Sequence, residues 1–223
     1  IPEIDEIPET PEVPEVPEAP ETPLMPDIPE APQAPEISAA PEEIEGTPET
    51  DVITGMAAPD DVQIQEAVES LGNIENLNPG AWDNIGPDER LETLQTIENE
   101  MATIQGRPPV EVVMDDTLGD NTFGGFDGER IVVNANHLNI EMPVDEFIDT
   151  IVHEGRHAYQ DHAIAHPGYV NNSELVNSWA ENQSNYLTAD EYGQELYATQ
   201  PLEADAWDYA TQIRNTLIAN NWS

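Results

Sequence analysis

The segment Ile151–His157, which reads IVHEGRH, has the clearest potential for chemistry in this sequence. It contains two histidines four residues apart, and Glu154 directly follows the first of them. On an α-helix, residues at positions i and i+4 project from the same side, so His153 and His157 can hold one metal ion together. Glu154 lies about 60° around such a helix from His157, close enough to reach a metal-bound water without ligating the metal. These spacings predict a zinc site with its own catalytic base.

Two imidazoles do not complete a catalytic zinc site, which needs three protein ligands and one open position. His162 and His166 follow in the same helical segment. They lie about 180° and 220° around the helix from His153. We therefore expect neither to reach the same ion, and we interpret both as solvated polar residues.

A better third ligand is found in the later segment 200–210, which reads QPLEADAWDYA. Pro201 marks the start of a helix, and Glu203 falls in its first turn. A carboxylate there can face a neighbouring helix and complete a charge-balanced zinc site. Asp205 is the alternative, either as the third ligand or as a residue that holds a ligand imidazole through its other nitrogen.

Hydrophobic periodicity predicts the two helices that must position these residues. Apolar residues with helical spacing predict a buried helix over 144–166: Val144, Phe147, Ile148, Ile151 and Val152. A second apolar stripe predicts the helix that carries the third ligand: Leu202, Ala206, Tyr209, Ile213 and Leu217. The site would then lie between one central helix and one C-terminal helix.

The residues before the central helix predict two helices and two strands. The first helix ends at Gly72, and the second begins at Pro87 and stops before Gly106. Strands are predicted at 110–113 and 130–134, separated by a glycine-rich turn. The predicted class is α+β, mainly helical with a small antiparallel sheet before the active-site helix.

Residues 1–50 differ in kind from residues 51–223, which form the predicted globular domain. Proline recurs at every third position from Pro8 to Pro35, with acidic residues between the prolines. This period matches the three residues per turn of polyproline II. We interpret residues 1–50 as an extended or disordered acidic stalk. Since the chain begins at Ile1 rather than Met, we expect further domains upstream in a longer protein.

Charge and composition exclude several function classes. The 47 acidic and 5 basic residues give a formal net charge of −42, and a surface of this sign repels phosphate. We expect no nucleic-acid binding and no membrane insertion. The chain has no cysteine, so no thiolate can ligate the metal.

The two metal-binding segments resemble zincin metallopeptidases. HEGRH matches the HExxH motif of those enzymes, and the pattern ExxAxxYA looks like the third-ligand helix of the gluzincin-like group. This group includes the phage-repressor and radiation-response regulator peptidases. The wider string VVNANHL, TIVHEGRHAYQ and QPLEADAWDYA resembles metallopeptidase-like domains at the C-termini of bacterial secreted and polymorphic-toxin proteins.

That resemblance implies a zincin-like fold, a Zn²⁺ cofactor and a peptide or protein substrate. It implies that His153, His157 and Glu203 are the metal ligands and that Glu154 is the general base. It also implies a bacterial protein that is secreted or located at the cell surface. Glu203 follows His157 by 46 positions, a longer gap than in the compact members of the group.

Further residues are expected to support the site. Tyr186, Tyr192 and Tyr197 are candidate donors to the oxyanion of a tetrahedral intermediate, with core packing as the simpler interpretation. The strand Arg130–Asn134 is a candidate edge strand for a bound peptide. Arg156 is expected either to pair with Glu203 or Asp205 or to face solvent. Three tryptophans are expected in the core: Trp179, Trp207 and Trp222.

Two interpretations without proteolysis remain open from the residues alone. In the first, the metal site is structural or degenerate and the domain serves adhesion or scaffolding on an acidic stalk. In the second, the enzyme hydrolyses cell-wall peptides rather than proteins. Metal content together with an assay on a broad peptide library separates the first from an enzyme, and assays on peptidoglycan fragments separate the second.

Overall fold

The computed structural model describes residues 57–58, 60–140 and 142–221. The predicted stalk over residues 1–50 and Trp222 lie outside the described residues. The described chain is mainly helical with one small sheet, which agrees with the predicted α+β class. Among the helices of these ranges, none is long and apolar enough to span a membrane.

The N-terminal part of the described chain is helical. Its elements are α1 (Asp60–Leu71), a short 3₁₀ turn (Glu75–Leu77), α2 (Pro79–Trp82) and α3 (Pro87–Gln105). α3 begins at Pro87, where the missing N–H of proline has no intrahelical partner to lose. It ends at Gly106, which takes a left-handed conformation with φ 72° and donates its N–H to the carbonyls of the last turn. Both helix ends predicted for α3 are confirmed.

Three short strands form the sheet, in the order β1-β3-β2. They are β1 (Glu111–Asp115), β2 (Gly124–Phe126) and β3 (Arg130–Asn134). β2 and β3 form an antiparallel hairpin, with Gly124 opposite Val133. The Asp127 carboxylate accepts the backbone N–H groups of Glu129 and Arg130, which fixes the turn between the two strands.

The sheet differs from the prediction in two respects. β1 and β3 pair in parallel, with Glu111 opposite Arg130, so the predicted antiparallel sheet is wrong for this pair. β3 is the central strand, so its predicted role as an edge strand is also wrong. The cause is β2, which lies in the segment interpreted as a turn. β2 forms the hairpin with β3 and occupies one edge of β3. β1 pairs with the other edge of β3, and the connection between β1 and β3 is long enough for parallel pairing.

The C-terminal half is helical. Its elements are α4 (Ala135–Leu138), α5 (Val144–Ala165), α6 (Ser173–Ser184), α7 (Ala189–Tyr192), α8 (Gln194–Thr199) and α9 (Pro201–Asn221). The predicted central helix and the predicted helix from Pro201 are confirmed as α5 and α9. These two helices pack more extensively against each other than any other pair of described elements. Their interface contains the residues with potential for chemistry.

The apolar face of α5 forms the centre of the hydrophobic core. Phe147, Ile148, Ile151 and Val152 are buried among side chains of α1, α3, α9 and the sheet. A smaller cluster lies at the other end of α5: Tyr159, Ala163, Tyr169, Trp179 and Leu202. Burial of this kind stabilises by about 1.5–3 kcal/mol for each large apolar side chain. α5 is therefore held on several sides and is a rigid base for the histidines.

The tryptophan predictions have different outcomes. Trp179 is fully buried, as predicted. Trp207 is 40% exposed, so its predicted place in the core is wrong. Trp207 lies one helical turn after Glu203 on α9, and its ring rests on the imidazole of His153, with 4.4 Å between the ring centroids. It therefore borders the site instead of filling the core.

Candidate metal centre

Three metal-ligating side chains from two helices meet between α5 and α9. The Nε2 atoms of His153 and His157 lie 3.2 Å apart. Glu203 places Oε2 3.3 Å from Nε2 of His153 and Oε1 3.3 Å from Nε2 of His157. His153 and Glu203 are buried, and His157 is half-buried. The structure thus brings together the three residues that the sequence predicts as ligands.

The spacing of these atoms fits a divalent cation. Zinc bonds to nitrogen and carboxylate oxygen of about 2.0–2.1 Å in tetrahedral geometry imply donor–donor separations of about 3.3–3.4 Å. Oε2 of Glu203 is buried and receives no hydrogen bond from any residue in the described ranges. An ionised oxygen without a partner is costly in the interior, and a bound cation removes that cost.

Electrostatics couple the three residues. Burial raises the pKa of Glu203, but the imidazoles of His153 and His157, each with Nε2 3.3 Å from a carboxylate oxygen, outweigh burial and hold the pKa well below its usual range. Burial lowers the pKa of His157, but the hydrogen bond to Glu203 and the charge of Glu154 outweigh burial and raise this pKa to about 9. The metal-free site therefore holds a proton that an incoming cation must displace.

Glu154 lies beside the three candidate ligands. One of its carboxylate oxygens is within 4.8 Å of ring nitrogens of both His153 and His157. Its side chain is half-buried, and it forms no hydrogen bond or ion pair with the residues that the structure describes. Among the described residues, none therefore holds the Glu154 carboxylate by a hydrogen bond, and this carboxylate lies close to both imidazoles.

Asp205 does not reach the imidazoles as a ligand would. Its Oδ2 accepts hydrogen bonds from Arg156 Nε at 2.8 Å and from Gln160 Nε2 at 2.7 Å, and its Oδ1 accepts from Arg156 Nη2 at 3.1 Å. These bonds occupy both oxygens. Of the two alternatives for the third ligand, the structure brings Glu203, and not Asp205, next to the Nε2 atoms of both imidazoles.

Arg156 is fully buried between α1, α5 and α9. It pairs with Asp205, as one of the alternatives predicted, and also with Asp60 at 2.8 Å. The interpretation that Arg156 faces solvent is wrong. Its guanidinium carbon lies 4.4 Å and 4.3 Å from the ring centroids of Tyr159 and Tyr209. The charge is therefore balanced on one side and enclosed by aromatic faces on the other.

The glycine of HEGRH is explained by the opposite side of α5. A Cβ atom at Gly155 would lie 3.0 Å from Oε2 of Glu98 and 3.2 Å from Nη2 of Arg107. That nitrogen also donates a hydrogen bond of 3.0 Å to the carbonyl of Gly155. The buried Arg107–Glu98 pair from the region of α3 thus packs directly on the backbone of the motif, and only glycine leaves the space free.

The three tyrosines predicted as oxyanion donors lie in different places. The hydroxyl of Tyr186 donates a short hydrogen bond to Oε1 of Glu203, and the residue is 41% exposed. Tyr197 packs against it with ring centroids 6.1 Å apart, and burial raises the pKa of Tyr197 to about 12. Tyr192 is 51% exposed, and no hydrogen bond in the described ranges joins it to the candidate ligands. Only Tyr186 touches a candidate ligand.

The two histidines rejected as ligands pack together near the end of α5. The rings of His162 and His166 stack with centroids 4.0 Å apart, and His162 also lies against Tyr169. His166 is exposed as predicted, but His162 is half-buried, so the prediction of a solvated residue is wrong for His162. Neither belongs to the cluster of His153, Glu154 and His157, whose candidate ligand atoms lie within 4.8 Å of one another.

The sequence interpretation missed two residues beside the site. Gln160 holds Nδ1 of His157 at 2.8 Å through its side-chain oxygen. Trp207 lies against His153. Helical spacing could have identified both residues, because side chains three or four positions apart on a helix are neighbours. Gln160 is three residues after His157, and Trp207 is four residues after Glu203.

Comparisons with protein-family models, with curated proteins and with solved structures gave no match. The likeness to zincins therefore consists of the HEGRH and ExxAxxYA residues themselves. What this site does chemically has to be inferred from its own geometry.

Proposed function

We propose that this protein is a zinc-dependent metallopeptidase with a zincin-like fold, in which His153, His157 and Glu203 hold Zn²⁺. The observation that supports this most is the set of 3.2–3.3 Å separations among three ligand side chains, two of them buried. When bound, zinc lowers the pKa of a water molecule toward neutrality and polarises the carbonyl of the scissile peptide.

Glu154 acts as the general base. Its carboxylate lies beside both imidazoles and is engaged by no described residue, so it is free to accept the proton of the attacking water. The same carboxyl group then donates this proton to the amine that leaves. Proton transfer by a positioned carboxylate contributes a factor of about 10²–10⁴ to the rate of such reactions.

Tyr186 supports the third ligand and is the preferred oxyanion donor among the three tyrosines. Burial and the hydrogen bond to Glu203 raise the pKa of Tyr186 well above its usual range, so the phenol keeps its proton at neutral pH. Its partial exposure places it at the border of the site, where its single hydroxyl proton could be donated to a substrate oxyanion in place of Glu203. Tyr197 packs against its ring and limits its movement.

β2 replaces β3 as the strand that receives the substrate backbone. One side of β2 pairs with β3, and no described strand pairs with its other side. Gly124 of β2 approaches α5 closely, since a Cβ there would lie 2.9 Å from Cγ2 of Thr150, one turn before His153. A peptide added to the free side of β2 would extend the sheet next to the site.

Substituting the proposed base tests this function. Glu154→Gln keeps the shape of the side chain but cannot accept a proton, so we expect one zinc per chain and peptide hydrolysis lowered by about 10²–10⁴. His153→Ala should lose both the metal and the activity. Elemental analysis and a peptide-library assay provide the two readouts, and Glu181→Gln, an exposed change on α6, is the matched control.

Three outcomes distinguish the alternatives. Normal hydrolysis by Glu154→Gln would eliminate the assigned mechanism. A wild-type protein that holds zinc but cleaves no peptide would favour a structural metal site in an adhesion or scaffold module. Cleavage of peptidoglycan fragments without cleavage of proteins would identify a cell-wall peptide hydrolase.

A further inference from the structure

Gln160 is a fully buried amide that connects a candidate metal ligand to α9. Its oxygen lies 2.8 Å from Nδ1 of His157. Its nitrogen lies 3.0 Å from the carbonyl oxygen of Leu202 and 2.7 Å from Oδ2 of Asp205. All polar atoms of the side chain are thereby occupied, and none of these contacts serves the chemistry described above.

The two contacts to α9 fix which end of the amide faces His157. A carbonyl oxygen and an ionised carboxylate can only accept hydrogen bonds, so the group that faces Leu202 and Asp205 must be the NH₂ group. The reversed amide would place an oxygen against two oxygens in a buried site. The amide oxygen therefore faces Nδ1 of His157, and because it can only accept, Nδ1 must carry a proton.

We propose that Gln160 is a positioning residue that holds His157 as the Nδ1–H tautomer, with the lone pair of Nε2 directed at the metal position. This inference rests on the proposed metal site. A histidine ligates through a nitrogen without a proton, so the tautomer decides which ring nitrogen is available to the cation. When a cation displaces the proton of Nε2, the remaining proton stays on Nδ1, so the ring presents the correct nitrogen to the metal.

The support of Gln160 extends to the ion pair of the buried Arg156 with Asp205. Asp205 is held by two hydrogen bonds from Arg156, which also binds Asp60 at the start of α1. Both oxygens of Asp205 therefore act as hydrogen-bond acceptors, and this keeps the orientation of the Gln160 amide. Three helices contribute to a connected set of hydrogen bonds that ends at His157.

The other imidazole lacks such support. Nδ1 of His153 is buried and has no hydrogen-bond partner in the part of the chain that the structure describes. Ring contacts with Trp207 and with His157 restrict its orientation instead. The two histidines of one motif are thus held differently, one by a hydrogen bond and one by packing.

Replacing Gln160 by leucine tests the inference. Gln160→Leu keeps the volume of the side chain and removes the acceptor, so we expect the dissociation constant for zinc to rise about 10–100-fold. Competition with a chromophoric chelator measures this constant. Gln63→Leu is the matched control, because Gln63 is also fully buried and hydrogen-bonded, to Ala58 and Tyr209, and contacts no candidate ligand. Zinc affinity of the control should stay within about twofold of wild type.

A spectroscopic readout separates positioning from a general loss of structure. Nitrogen NMR of the metal-free wild type, at a pH where the imidazole is neutral, should show His157 as the Nδ1–H tautomer. An Nε2–H tautomer in the wild type, or equal zinc affinity in the Gln160 and Gln63 variants, overturns the inference. Because the NMR measurement needs neither zinc nor the variant, it remains decisive if Gln160→Leu fails to fold. A wild type that shows the Nδ1–H tautomer but binds no zinc would refute the proposed function and leave the Gln160 assignment standing.

Discussion

Two buried carboxylates lie on opposite sides of α5, and they are satisfied differently. Glu98 and Glu203 are both 0% exposed. Glu98 accepts two hydrogen bonds from Arg107, at 2.7 and 2.9 Å, and a third of 2.9 Å from the N–H of Val110. Glu203 accepts a hydrogen bond from Tyr186 on one oxygen, while its other oxygen has no donor in the described ranges.

The difference distinguishes a structural charge from a charge that awaits a ligand. On the Glu98 side, the protein supplies the full counter-charge, and the pair packs on the backbone of Gly155. On the Glu203 side, the counter-charge is a proton on the imidazole of His157, which an incoming cation can displace, and one carboxylate oxygen has no donor in the described ranges. Since an incompletely paired buried charge is costly, that side is suited to a metal ion and the other side is not.

The largest expected effect comes from breaking the structural pair. Glu98→Gln leaves the guanidinium of Arg107 buried without its counter-charge, which costs about 3–5 kcal/mol. Urea denaturation measures the loss. Zinc should still raise the unfolding free energy of Glu98→Gln by the same increment as in the wild type, because the metal side is intact. A variant that loses its response to zinc would show that the two sides of α5 are not independent.

Metal removal has the next largest effect. At a free zinc concentration of 100 times the dissociation constant, binding adds about 2.7 kcal/mol to the unfolding free energy, and a chelator abolishes this gain. Glu203→Ala should show no such difference between zinc and chelator. Thermal unfolding with and without chelator provides the measurement, and an equal zinc response in Glu203→Ala would contradict the assignment of the third ligand.

A smaller effect is expected from filling the space at Gly155. Gly155→Ala brings a methyl group against the buried Arg107–Glu98 pair, and overpacking of this kind costs about 1–3 kcal/mol. The better helix propensity of alanine returns up to about 1 kcal/mol. We expect a net loss of about 1 kcal/mol in urea denaturation with unchanged zinc content. A variant more stable than wild type would show that the side chains of Arg107 and Glu98 move aside for the methyl group without loss of stability.

The smallest effect concerns Asp149, a half-buried carboxylate one turn before His153. Burial raises its pKa above the ordinary value of 3.8, and the charges of Arg214 and His153 only partly offset burial. A raised pKa means that the folded state binds the proton more tightly, so stability is lost as pH rises through the raised value. Asp149→Asn should therefore unfold at a higher temperature than wild type at pH 7.

The advantage of Asp149→Asn over wild type should shrink as the pH falls through the raised pKa and below 3.8, where the wild-type carboxyl becomes protonated in both states. Melting curves of both proteins across this pH range test the sign. An advantage that stays constant with pH would mean that Asp149 does not titrate in this way.

Local sequence signals predicted most of what positions the site. The spacing of apolar residues predicted α5, and Pro201 predicted the start of α9. Together they put Glu203 where a first-turn carboxylate can face the histidines. These features depend on residues within one or two helical turns of each other, which is the range over which a sequence pattern carries information.

The errors concern contacts between distant segments. β2 is only three residues long and contains two glycines, so no alternating pattern of apolar residues marks it as a strand. Because β2 was not predicted, the central place of β3 in the sheet was not predicted either. Trp207 and Gln160 have helical spacing from the ligands, but which of their neighbours they touch depends on how α5 and α9 pack. Arg156 is buried only because Asp60 and Asp205 approach from two other helices.

Zinc content is the most direct test of the central claim, that α5 and α9 together hold one divalent cation. Elemental analysis of purified wild type and of Glu203→Ala, each dialysed against the same low zinc concentration, compares the complete site with one that lacks only the α9 carboxylate. We predict one zinc per chain in the wild type, removable by chelator, and a loss of zinc in Glu203→Ala. Equal zinc in both proteins, or no zinc in the wild type, would contradict the account.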